Sequence, residues 1–173
     1  RNQIRGDIEK LLEEGMEEVT EGKRLGMAFH EGFALSVPAM AQVLTAACST
    51  EDEGLDAVSR GLLANETALG ANYIKAMPRY CVGAGLLDHD YRLTRFGTHV
   101  GQRDPALSTL ATLWCMHFSL SAPNGPGPLF WHRFVVERLR GDEESLQRNA
   151  VGDELRALSK EQGREVAVRT ARD

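Results

Sequence analysis

The sequence predicts a mainly α fold, a winged helix-turn-helix with a small β-wing packed on additional helices. Three observations predict it. Apolar residues recur at helical spacing in one segment after another. A turn-like Leu69-Gly70-Ala71 leads into Asn72-Tyr73-Ile74-Lys75-Ala76-Met77. Gly85-Leu86-Leu87 then closes that helix before a hairpin-like Asp88-His89-Asp90-Tyr91-Arg92-Leu93-Thr94. Finally, this same stretch is basic in an otherwise acidic chain. Residues 71–103 carry five basic against two acidic side chains, whereas residues 1–22 carry three against seven and the whole chain has a formal charge of -5.

A length of 173 residues with 42% hydrophobic and 26% charged composition fits a folded chain with a sizeable core. The expected organisation is an acidic N-terminal helix in residues 1–25, a winged-helix-like domain in 26–103 and a helical part in 104–173. No apolar run approaches the roughly 20 residues that cross a bilayer, and no signal peptide is visible. The chain begins at Arg1 rather than methionine, so a missing upstream part is expected. Cys48, Cys81 and Cys115 are widely spaced and make no Cys-x-x-Cys pair, which argues against a disulfide framework or zinc site and for reduced thiols in a cytoplasmic protein.

Taken in order, residues 2–20 place Ile4, Ile8, Leu11, Leu12 and Met16 on one helical stripe opposite an acidic face. Phe29, His30, Glu31 and Phe33 precede the next helix, in a loop or short strand. That helix is expected over residues 39–47, with Pro38 in its first turn and Ser36 near the cap. The acidic run Glu51-Asp52-Glu53 suits the positive end of a helix over 54–64, with Leu55, Val58, Leu62 and Leu63 facing the core. Thr67 suits a cap before the recognition helix, in which Pro78 predicts a kink or tight turn. Alternation of Tyr91, Leu93 and Arg95 with Arg92, Thr94 and Phe96 predicts a short strand ended by Gly97. Asp104-Pro105 reads as N-cap and first helical residue of a helix over 106–120, apolar nearly all round and so expected to be the buried centre, with Trp114 and a hydrogen-bonded His117 inside it. A breaker loop from Pro123 to Pro128 precedes a helix over 129–139. The charge-balanced tail predicts one or two surface helices, the last docked through Leu155, Leu158 and Val166.

Catalytic motifs are scarce: there is no phosphate-cradling glycine loop, no His-Glu-x-x-His and no Gly-x-Ser-x-Gly. His30-Glu31 is a polar pair in aromatic company, and an imidazole beside a carboxylate suits acid–base work or a divalent cation. Adjacent residues of a strand point to opposite faces, which favours a local structural role instead. The five histidines are scattered, so no metal ligands are assigned. The second helix of a helix-turn-helix commonly lies in the DNA major groove. Asn72, Tyr73, Lys75 and Arg79 are therefore the candidate DNA-facing residues, with Arg92 and Arg95 from the wing region. Ordinary polar positions on an amphipathic helix are the alternative reading.

Leu69-Gly70-Ala71-Asn72-Tyr73-Ile74-Lys75-Ala76, Gly85-Leu86-Leu87, Leu93-Thr94-x-Phe96-Gly97 and the run from Asp104-Pro105 to Trp114-Cys115-Met116-His117 together resemble domain-of-unknown-function family 4007 over roughly residues 26–135. Phe29-His30-Glu31-x-Phe33 resembles its His-Glu-Thr-Phe motif, with Gly32 in place of the threonine. The resemblance implies a DNA-binding component of a bacterial DNA-phosphorothioation or anti-phage defence system. Its partners would be DNA and the other proteins of a DNA-modification complex. One type of member is a DNA nickase, so the resemblance also implies a nicking site at His30 and Glu31 using Mg²⁺ or Mn²⁺. The alternatives are a non-catalytic winged-helix regulator and an interaction scaffold whose acidic N-terminal helix engages a basic partner.

Overall fold

A computed structural model describes residues 24–52, 58–134 and 148–161. The expected helix over 2–20 lies outside them. Among the described residues the fold is mainly α, with seven helices: α1 Val37–Asp52, α2 Arg60–Glu66, α3 Ala71–Gly83, α4 Arg95–Arg103, α5 Leu110–Ser121, α6 Leu129–His132 and α7 Arg148–Glu161. None of these described helices is long and apolar enough to cross a membrane.

Helix α1 begins one residue before Pro38, where a missing N–H costs nothing, and the Met40 N–H donates to Ser36 O at 2.9 Å. Glu51 and Asp52 end this helix instead of opening the next. The next helix starts at Arg60, where the Ser59 hydroxyl accepts from the Leu62 N–H at 3.1 Å. A true capping side chain thus outweighs the carboxylates' preference for a positive helix end. Thr67 closes α2, its hydroxyl donating to Leu63 O and accepting from the Leu69 N–H.

Helix α3 is the hub. It packs against α1, α2 and α5, and every residue from Ala76 to Gly83 except Arg79 is buried. Pro78 does not interrupt it. The helix runs through, with Pro78 buried on the core side, because packing on that face offsets the one ladder hydrogen bond that proline cannot donate. Gly83 is pressed from two sides: a Cβ there would meet Leu120 Cδ2 at 2.8 Å and Leu25 Cδ1 at 2.9 Å. Gly85, at φ +75°, turns the chain out of the helix.

The expected strand over 91–96 shrinks to one antiparallel bridge, Leu87 to Leu93. Arg95 opens α4, because the Thr94 hydroxyl accepts from the Gly97 N–H at 2.9 Å and fixes an N-cap. Gly97 is inside that helix, with its Cα against Leu86 O.

Helix α5 departs further from its expected form. Its first helical residue is Leu110, not Ala106, because Asp104 serves a turn: its carboxylate accepts from the Ser108 and Thr109 N–H groups at 2.9 Å each, and Thr109 becomes the N-cap. Leu107, at φ 52°, breaks the run between. Nor is α5 the buried centre. Thr112, Met116, Leu120 and Ser121 are buried, but Leu110, Trp114 and Phe118 are 70%, 63% and 47% exposed. His117 is half-buried, its ring edge-on to Trp114. The core is instead built by α1 and α3 with Leu63, Leu86, Leu87, Val100 and Leu107.

Of the predicted helix over 129–139, α6 covers the start. In α7, Leu158 is buried and Leu155 half-buried, while Val166 lies outside the described residues.

Candidate nucleic-acid interface

The hairpin-like stretch after α3 is held by its own backbone. The Asp88 N–H donates to Arg92 O at 2.9 Å, and the Asp88 carboxylate accepts from the Asp90 and Arg92 N–H groups. Below the turn, the Thr94 N–H donates to Leu86 O at 3.1 Å. A third segment joins from the connection between α1 and α2, where the Val58 N–H donates to Tyr91 O at 3.0 Å.

Asn72, Lys75 and Arg79 follow one another at helical spacing along the outer side of α3. Asn72 and Lys75 are exposed. Arg92 and Arg95, on the hairpin and at the start of α4, are exposed too. Tyr73 departs from the expected DNA-facing set: it is half-buried, with its ring centroid 5.3 Å from that of Phe33.

Arg79 is committed elsewhere as well. Its Nη1 forms an ion pair with the Glu31 carboxylate and donates to Phe29 O at 3.3 Å. Beside it, the Tyr80 hydroxyl donates to Phe33 O at 2.9 Å, and its ring meets that of Phe29 edge-on at 4.7 Å. Burial pushes the Tyr80 hydroxyl pKa up to about 12, so it remains a donor across the ordinary pH range. The segment 29–33 is thereby clasped onto α3. The spacing of Tyr73 and Tyr80, two helical turns apart on one face, is the sequence signal for this aromatic seam.

His30 and Glu31 occupy a turn rather than a strand. Glu31 lies at φ 52°, Gly32 follows at φ +81°, and His30 Nδ1 accepts from the Gly32 N–H at 3.0 Å. With Glu31 paired to a guanidinium and His30 Nδ1 filled, these donors do not fit a Mg²⁺ or Mn²⁺ site. No three His, Cys, Asp or Glu side chains converge as metal ligands among the described residues. The cysteines are free thiols, Cys81 being fully buried and its pKa pushed up by that burial. A shallow groove of about 370 Å³ lies elsewhere, between Ala41, Gln42 and Thr45 of α1 and the Pro105-Ala106 turn, with Glu66 on its lining.

Compared with known protein families, curated proteins and solved structures, the chain matches none.

Proposed function

We propose that residues 37–94 form a reduced winged helix that binds duplex DNA through the outer face of α3, without nicking it. The observation that carries this reading is the order of parts. Three helices pack together, a hairpin turn follows the third, and the connection between the first two bonds to that hairpin. The helix in the recognition position presents Asn72 and Lys75 to solvent. The arrangement suits insertion into a major groove, with Lys75, Arg92 and Arg95 placed for phosphates. The turn tip is acidic at Asp88 and Asp90, and the chain's net charge is -5, so binding is weak and salt-sensitive. Membership of a DNA-phosphorothioation or defence complex, which the resemblance to family 4007 implies, is part of the proposal: partner proteins would supply the affinity that this chain lacks.

The test is fluorescence anisotropy with a duplex oligonucleotide at several salt concentrations, beside incubation with supercoiled plasmid and Mg²⁺ or Mn²⁺. Lys75→Ala is expected to weaken binding and to reduce the slope of log K against log salt by about 0.9, one phosphate's worth. The plasmid is expected to shift intact. No binding, or binding indifferent to Lys75→Ala, overturns the interface. Nicked product abolished by His30→Ala overturns the non-catalytic reading.

A further inference from the structure

We infer that Glu31 is an autoinhibitory gate on the DNA-facing side of α3: its carboxylate occupies the Arg79 guanidinium in place of a backbone phosphate. This rests on the reading of α3 as the DNA-facing helix and adds a regulatory contact to it.

Asn72, Lys75 and Arg79 share one line of α3, two helical turns from first to last. Asn72 and Lys75 are exposed, whereas the Arg79 guanidinium is ion-paired to Glu31. A guanidinium is shaped to bind a phosphate, and a carboxylate offers it the same kind of anionic oxygen. Glu31 therefore stands where a phosphate would. Lys75 and Arg79 are four positions apart, about 6 Å along the helix axis. A duplex touched by Lys75 brings its phosphates within reach of Arg79 as well.

The pair is poised to open. Its two side chains, Arg79 and Glu31, are 30% and 42% exposed, so water and salt weaken the attraction. Nor does the turn depend on the carboxylate. The Phe33 N–H donates to His30 O at 2.8 Å, the Glu31 N–H to Ala28 O at 3.2 Å and the Gly32 N–H to His30 Nδ1 at 3.0 Å. Across the seam, the Tyr80 hydroxyl donates to Phe33 O and Arg79 Nη1 to Phe29 O. The Glu31 side chain can swing off the guanidinium while the backbone of residues 29–33 stays docked on α3.

The experiment is fluorescence anisotropy of the full chain with a duplex oligonucleotide across salt concentrations. Glu31→Gln is expected to tighten binding about two- to five-fold, the scale set by one exposed ion pair. It is also expected to steepen the slope of log K against log salt by about 0.9, because Arg79 gains a phosphate. Glu31→Asn is the second variant: it removes the same charge, and asparagine tolerates the left-handed backbone at φ 52°. In an Arg79→Ala background, Glu31→Gln is expected to change neither affinity nor slope. The lost bond to Phe29 O is common to both members of that comparison and cancels. Binding unchanged in both Glu31 variants, with Lys75→Ala still weakening it, overturns the gate and leaves the DNA-facing reading of α3 standing. A gain that survives in the Arg79→Ala background overturns the gate too, since Glu31 then acts by general repulsion of DNA. Binding indifferent to Lys75→Ala removes the interface and the gate together.

Discussion

Asp104 shows what one side chain decides. Its two carboxylate oxygens accept from the Ser108 and Thr109 N–H groups and from both hydroxyls, at 2.9–3.0 Å. The Ser108 and then the Thr109 N–H hold the Asp104 carboxyl far below the usual carboxylate range. A depressed folded-state pKa stabilises the fold above the unfolded value of about 3.9, and that contribution is lost as pH falls below it toward the folded value. Asp104→Asn is therefore expected to lower the melting temperature at neutral pH and to flatten its fall between about pH 4 and pH 2, as thermal denaturation across a pH series would show. The Glu31–Arg79 pair is the counter-example. Both side chains are partly exposed, so water screens them. A double-mutant cycle with Glu31→Gln and Arg79→Ala is expected to give a coupling of only ~0.2–1 kcal/mol in chemical denaturation. Arg79→Ala also removes the bond to Phe29 O, so its effect on DNA binding would mix two causes, which Lys75→Ala avoids.

At the scale of elements, composition and position part company in α5. Its residues are apolar nearly all round, yet only one side meets the core. Met116→Ala is expected to cost ~2–5 kcal/mol, because Met116 is 3% exposed. Trp114→Ala is expected to cost distinctly less, despite removing a larger side chain. Parallel urea titrations would rank the two, and a larger cost at Trp114 would place that side chain in the core. The joint between the hairpin and α4 is tighter. A methyl group at Gly97 would collide with the backbone oxygen of Leu86, and backbone cannot step aside as a flexible side chain can. Gly97→Ala is expected to destabilise by ~3 kcal/mol or more. Gly70→Ala, with open space around the added methyl, should change little. Melting curves of the two variants make the comparison.

For the whole molecule, the decisive arrangement is the clasp of residues 29–33 on α3. That helix carries the core on one side, the aromatic seam with Phe29 and Phe33 on another, and Asn72 and Lys75 to solvent. Its position is fixed from several directions, so the outer face is presented on a rigid element. Tyr80→Phe, which deletes the bond to Phe33 O and keeps the ring, is expected to cost ~1 kcal/mol. It should leave the salt dependence of DNA binding unchanged, which anisotropy across salt concentrations would check.

The sequence by itself determined the helical class, the turn after α3, the position of Pro38 and the line Asn72–Lys75–Arg79, because each follows from local spacing, proline geometry or glycine punctuation. The three-dimensional fold decided what local pattern leaves open. Ser59 and Thr109 took the helix starts that Glu51 to Glu53 and Asp104-Pro105 had suggested, and Thr94 started a helix inside the expected strand, since a hydroxyl in reach of a free N–H outweighs a general preference for charge or alternation. The partnership of Arg79 with Glu31, separated by 48 positions, has no trace in local spacing. Which side of α5 is buried was equally invisible: an all-apolar helix carries no moment to point it, so only the packing of its neighbours chose Met116 for the core and left Trp114 outside.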